Sequence, residues 1–220
     1  MKTEIIHTGS DNALPRAAEV LKNGELVAFP TDTVYGLAAS PWNADGVARL
    51  YKAKQRPSNR PIPLLLSDAG QLSRVAMLPP QFSRQVRQLI ARFWPGGLTL
   101  VLPKTAIVPD TISQGPTVAA RVPGLPLARA LIRDAGGVLA VTSANLSGQP
   151  SPITAQEVEA QLGGRIELIL DGGPCRGGVP SSLLDCTLSP PLLLRRGAVS
   201  QEDLQRVIGS LQSPTRRSDR

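Results

Sequence analysis

The 220-residue chain carries 24 Lys and Arg against 17 Asp and Glu, with 41% apolar and 19% charged residues, the balance of an ordinary globular protein. A chain of this length buries roughly 70% of its unfolded surface, so neither a disulfide nor a structural metal is needed for folding. A single histidine and two cysteines exclude a four-ligand Cys/His zinc site, and 3% aromatics exclude a base-stacking platform of several rings. No apolar run reaches the ~18 residues of a membrane span, and no signal-peptide pattern opens the chain. Cys175 and Cys186 read as free thiols of a reducing compartment, so a cytoplasmic protein is expected, with no membrane partner.

His7 falls in a polar, strand-like N-terminal segment. Residues from about Leu14 to Lys22 predict an amphipathic helix stopped by Asn23-Gly24, and Glu25 to Pro30 a buried strand. Asn43 can cap a helix carrying Val47, Leu50 and Tyr51, which ends before Pro57; Ile62–Leu66 is a strand. Phe82, Val86, Leu89, Ile90 and Phe93 share one helix face, closed by Trp94-Pro95-Gly96-Gly97. Strands follow at Leu98–Leu102 and Val118–Val122, then a helix over Leu125–Asp134 and a strand over Val138–Thr142. Thr154 with Glu157 forms a capping-box pattern for a helix ending at Gly163-Gly164. Ile166–Leu170, Leu183–Thr187 and Leu192–Arg195 are strands, and Ser200 with Asp203 opens a last helix. The alternation predicts a single α/β domain over residues 11–211 with a mixed, twisted sheet flanked by helices and a ligand crevice at strand ends. Residues 212–220, with Arg216, Arg217 and Arg220, read as a frayed basic tail.

Two features point to chemistry. The net charge of +7 favours an anionic partner, and Arg49, Lys52, Lys54, Arg56 and Arg60 fall in a stretch without a single acid. Pro57 and Pro61 stiffen that stretch and can hold its charges convergent, although a solvated basic face has the same sequence. In addition, four segments stand at strand ends, three of them carrying small hydroxyl residues and glycines: Phe29–Leu37, Val141–Gly148 and Gly177–Ser182, with Arg121–Pro123 the fourth. Such loops make turns, but their hydroxyls and free N–H groups also hold phosphate and carboxylate oxygens. Neither a P-loop nor a dinucleotide-binding glycine fingerprint occurs.

The segments PTDTVYGL (Pro30–Leu37), Lys54-Gln55-Arg56-Pro57 and TSANLSGQPSP (Thr142–Pro152) resemble the signature segments of the YrdC-like family, the threonylcarbamoyl-AMP synthases. WPGGLTLVL (Trp94–Leu102), AARVPGLP (Ala119–Pro126), SSLLD (Ser181–Asp185) and LLRRGAVS (Leu193–Ser200) are similar as well, in the same order from about Leu14 to Leu211. The likeness is to the short, single-domain form. It implies a reaction in which L-threonine, bicarbonate and ATP give threonylcarbamoyl-adenylate and pyrophosphate. Other threonylcarbamoyl-transfer proteins then modify tRNA, and direct contact with tRNA is a candidate. In-line attack on a phosphate needs positioning and charge neutralisation more than a strong base, so no general acid or base is assigned.

Carried over residue by residue, the resemblance places Thr33, Arg121 and Ser181 on threonine, with Arg121 pairing its carboxylate. It places Lys54, Arg56, Arg60, Thr117, Ser143, Ser151 and Arg195 on ATP, with Asn145 supporting the loop. Mg²⁺ would be held by phosphates and water, since no acidic cluster is visible. Arg60, Leu65 and Ser182 depart from the commoner family residues, which are Asn or Lys, His and Thr respectively. The apolar strand around Arg121 implies a buried guanidinium, whose partner is either the substrate carboxylate or a structural Asp or Glu. Two other readings compete with the enzyme: a non-catalytic RNA-binding module, and a carbamoyl-transfer domain of the kind found in larger hydrogenase-maturation proteins.

Overall fold

The computed structural model describes residues 2–212; the expected tail from 213 onward, with Arg216, Arg217 and Arg220, lies outside the described residues. Gln212, which the sequence assigns to that tail, belongs to the fold, because its backbone pairs with Pro191 and Leu193. Among the described residues ten strands form one mixed sheet: β1 (Glu4–His7), β2 (Val27–Phe29), β3 (Gly36–Ala39), β4 (Leu64–Leu66), β5 (Leu98–Pro103), β6 (Thr117–Arg121), β7 (Val138–Ser143), β8 (Leu168–Asp171), β9 (Ser182–Asp185) and β10 (Leu192–Arg195). Their order across the sheet is β1-β8-β2-β3-β7-β4-β6-β5-β9-β10. The helices are α1 (Ala13–Lys22), α2 (Ala44–Lys54), α3 (Leu72–Val75), α4 (Ser83–Phe93), α5 (Pro126–Asp134), α6 (Ala155–Leu162) and α7 (Gln201–Ile208).

Strand alternation divides the core between the two faces of the sheet. Val27, Phe29, Leu139 and Val141 pack with the alanine-rich face of α1 and with Ala128, Leu131 and Ile132 of α5. The intervening Ala28, Val138 and Ala140 point the other way, into the larger core shared with α2, α4, α6 and α7. The capping residues named from sequence hold: Asn43 accepts from Gly46 N–H, Thr154 from Glu157 N–H and Ser200 from Asp203 N–H. The Glu157 carboxylate reaches back to Ile153 N–H instead of to the cap residue's own amide. Phe82 ends a short 3₁₀ turn before α4 rather than opening the helix itself.

One strand escaped the sequence reading. Gly36–Ala39, for which the sequence predicts no element, turns back as β3 and pairs antiparallel with both β2 and β7. Gly36 needs its missing side chain there, since a Cβ would meet Val141 at 2.7 Å. The six residues Pro30–Tyr35 thus become the tip of a hairpin.

Candidate active site

Helices α1 and α5 cover only part of their face of the sheet. Beyond them, Leu65 of β4 lies opposite Arg121 of β6, and Thr99 of β5 stands one residue on from the Leu100–Ala120 pair. These side chains floor a cavity of about 160 Å³. Loops at strand ends wall it: Thr31, Thr33 and Val34 from the hairpin tip, Ser143 and Ser151 after β7, and Pro180 and Ser181 before β9. Arg56 and Arg195 complete the lining. The hydroxyls of Gly177–Ser182 enter from the start of β9, whereas those after β2 and β7 enter from strand ends.

The expected residues divide in two. Thr33, Arg56, Arg121, Ser143, Ser151, Ser181 and Arg195 meet in the cavity, although the sequence spreads them over 163 positions from first to last. Lys54, Arg60, Thr117 and Asn145 do not line it. Thr117 sits at the far end of β6 opposite Pro103, and four residues of strand put it roughly 13 Å from Arg121. The Arg60 side chain is exposed, and its contribution is a carbonyl that accepts from Arg56 Nε and Tyr51 Oη. Asn145 donates to the Leu146 and Gln149 carbonyls of its own loop.

Lys54 is the larger correction. Its side chain is buried, and the ammonium donates to the carbonyl of Ser143, to the Asn145 carbonyl at 2.5 Å and to Asn145 Oδ1 at 3.3 Å. Burial, then the neighbouring Arg56 charge, push it down to about 7, while the three oxygens hold its protons. The turn that separates it from Arg56 is a left-handed cap: Gln55 has φ 51°, and Arg56 N–H and Gln55 N–H bond back to Tyr51 and Lys52. Lys54 therefore points into the wall, and Arg56 swings into the cavity with Nη2 on the Pro61 carbonyl. Arg49 is tied to Glu167. The basic run is thus dispersed into separate tasks and presents no continuous patch.

Arg121 is 5% exposed and has a structural partner, which the sequence left open. Nη2 meets Asp32 Oδ1 at 2.6 Å, Nη1 donates to Thr33 Oγ1 at 3.0 Å, and Nε donates to the Gly96 carbonyl at 2.8 Å. Asp32 Oδ1 also accepts from Gly124 N–H. Of the two partners the sequence left open for Arg121, the structure supplies the structural one: Asp32 neutralises it from behind. Arg195 donates to the Ser181 carbonyl and hydroxyl, and burial, then the nearby Arg121 charge, push its pKa below the ordinary arginine value. Three guanidinium groups thus converge on a cavity lined, among the described residues, by no carboxylate.

Sequence reasoning missed Thr31, Asp32 and Tyr35, all inside the quoted PTDTVYGL segment: nothing local reveals the Asp32 and Tyr35 partners 89 and 138 residues away, and the Thr31 hydroxyl bonds to Thr33 and Val34 within the same turn. Tyr35 Oη donates to the Gly173 carbonyl, accepts from Gly172 N–H, and is pushed up to about 12 by burial. Both cysteines are buried free thiols, raised by burial, Cys186 to about 12. Neither should react with a thiol reagent in the native protein at neutral pH, and both should react in denaturant without reductant; a bridge would leave no reactive thiol at all.

The Sua5/YciO/YrdC family model, described as "Telomere recombination", matches residues 19–197, and the chain is a member of that family. It is 45% identical over 204 residues to a threonylcarbamoyl-AMP synthase of Bacillus subtilis, covering 92% of this chain and 58% of that protein. It is 37% identical to a threonylcarbamoyl-AMP synthase of Vibrio vulnificus, covering 84% of this chain and 98% of that one. A crystal structure of P. abyssi Sua5 complexed with L-threonine superposes with a TM-score of 0.90 at 40% identity, over 97% of this chain and 62% of that one. The chain spans little more than half the length of several of these curated relatives. Among the described residues no helix is long and apolar enough to cross a membrane.

Proposed function

We propose that the chain makes L-threonylcarbamoyl-adenylate from L-threonine, bicarbonate and ATP, releasing pyrophosphate. The observation that carries this reading is the convergence of Arg56, Arg121 and Arg195 on one hydroxyl-lined cavity, with a single carboxylate, Asp32, set behind Arg121. Surplus positive charge in a partly buried site calls for an anionic ligand of several charges, and an amino-acid carboxylate with a triphosphate supplies them.

In this reading the threonine amine and bicarbonate condense to a carbamate with loss of water. A carbamate oxygen then attacks the α-phosphorus of ATP, and the bond to the β-phosphate breaks as pyrophosphate leaves. Arg121 holds the threonine carboxylate with the N–H groups that Asp32, Thr33 and Gly96 leave free. Arg56, with Ser143 and Ser151 on the same wall, and Arg195 opposite, take the phosphate charge. The sheet face and the hairpin tip keep water from the labile carbamate. Among the described residues no group of three or more His, Cys, Asp or Glu could hold a metal, so Mg²⁺ is expected to arrive with ATP, bound by phosphate oxygens and water. Delivery of the product to tRNA-modifying proteins in the cytoplasm follows from the family likeness.

The test is pyrophosphate release, with the adenylate identified by mass. Release should need both threonine and bicarbonate, and serine should be poorer because a methyl group in a fitted pocket contributes about 1–3 kcal/mol. Arg56→Ala should raise the ATP requirement about ten- to a hundredfold, the loss of one charged hydrogen bond to phosphate. Release that is indifferent to threonine, or absent while RNA still binds, would overturn the enzyme in favour of the RNA-binding module.

A further inference from the structure

We propose that Thr31 fixes the polarity of the Thr33 hydroxyl, so that the cavity accepts an N–H donor from its ligand at that point and discriminates against an oxygen that can only accept. The inference rests on the threonine reading above and adds a specificity-determining residue that acts through its neighbour.

The directions of the hydrogen bonds are forced. A carbonyl oxygen can only accept, so the 2.7 Å contact between Thr31 Oγ1 and the Val34 carbonyl consumes the Thr31 hydroxyl proton. Thr31 Oγ1 is left with lone pairs alone. One receives Thr33 N–H at 3.1 Å, and the other faces Thr33 Oγ1 at 3.0 Å, so the Thr33 proton must point back to Thr31. From the other side the Arg121 guanidinium, which can only donate, takes one lone pair of Thr33 Oγ1. A hydroxyl oxygen has one proton and two lone pairs; a single lone pair of Thr33 therefore remains for the cavity. Thr31 and Thr33 are 4% and 2% exposed, which keeps bulk water from offering another arrangement.

The Ser181 hydroxyl behaves differently. Ser181 Oγ accepts from Arg195 and shares a 2.7 Å hydrogen bond with Thr99 Oγ1 in which either oxygen can be the donor. Ser181 can thus offer the cavity a proton or a lone pair, whereas Thr33 offers a lone pair only. With a carboxylate on Arg121, the α-substituent of the same ligand lies beside Thr33, because the two side chains are hydrogen-bonded to each other. An amine or a carbamate N–H satisfies Thr33 there, and an ether oxygen sets lone pair against lone pair.

Thr31 is a positioning residue, and its test is a ratio of affinities in place of an activity. Calorimetric titration would compare L-threonine with the analogue in which a methoxy group replaces the α-amine, on the wild type, Thr31→Val and Thr31→Ser. In Thr31→Val the Thr33 proton is released to turn towards the cavity, and the preference for the amine should narrow about three- to tenfold, the range of one neutral hydrogen bond. Thr31→Ser keeps the hydroxyl and should keep the preference, and ATP affinity should be the same in all three proteins. An unchanged preference in Thr31→Val overturns the proposal, as does an equal narrowing in Thr31→Ser. Should Thr31→Val not fold, Thr33→Val removes the reading atom directly and must narrow the preference too; retention there is equally fatal. Wild-type protein that binds no L-threonine would overturn the threonine reading instead, a result distinct from threonine binding with an unaltered ratio.

Discussion

Arg121→Met is expected to lower the stability of the ligand-free protein by about 3 kcal/mol, the low end of the cost of breaking a buried ion pair. Arg121 is almost wholly enclosed, whereas the Asp32 side chain is 23% exposed and keeps some hydration, which places the effect at that end. Loss of the guanidinium also strips the Gly96 carbonyl and Thr33 Oγ1 of a donor. For a chain of this size the change corresponds to a fall of about 6–12 °C in melting temperature, readable by calorimetry. The double variant Asp32→Asn/Arg121→Met should recover part of the loss, because no charge is then left alone. A variant as stable as the wild type would mean that the guanidinium is a net burden relieved only by ligand, and that Asp32 contributes nothing.

Gly197→Ala should leave the fold intact yet reduce adenylate formation about a hundredfold. The added Cβ would collide with the Pro180 carbonyl and lie 2.6 Å from both the Ser181 carbonyl carbon and the Ser182 nitrogen. These are backbone atoms, so the strand entry carrying Ser181 must move as a piece, taking with it the acceptor that orients Arg195. Displacements of about 1 Å at such groups cost on the order of 10²-fold in rate. Gly115→Ala is the matched control, since an added Cβ there meets nothing within 4 Å. Equal activity in the two variants would show that the Ser181 wall is soft and takes no part in positioning.

How much of this was legible beforehand depended on the range of the interaction. The helices and most strands follow from periodicity and caps such as Asn43 and Thr154, which act within a few residues. β3 was missed because Gly36-Leu37-Ala38-Ala39 has no alternation and little β-branching; only its neighbours β2 and β7 make it a strand. In the site, Thr33, Arg56, Ser143, Ser181 and Arg195 were named through the family resemblance, and the structure brings all five to one cavity. Lys54 and Arg56 show the limit. They are two residues apart and chemically alike, yet the left-handed Gln55 sends one into the wall and the other into the cavity. Arg121 shows a second limit: its burial followed from the strand, but its partner Asp32 lies 89 residues away and is brought to it only by the tertiary fold.

Lys54 closes a contact in both directions with the segment after β7. Its ammonium holds the carbonyls of Ser143 and Asn145, and its own carbonyl accepts from Ser147 N–H. The end of α2 and residues 143–147 are consequently riveted into one mechanical part, although 89 positions of sequence separate them. The amides enclosed by that clasp should exchange with solvent only when α2 itself opens.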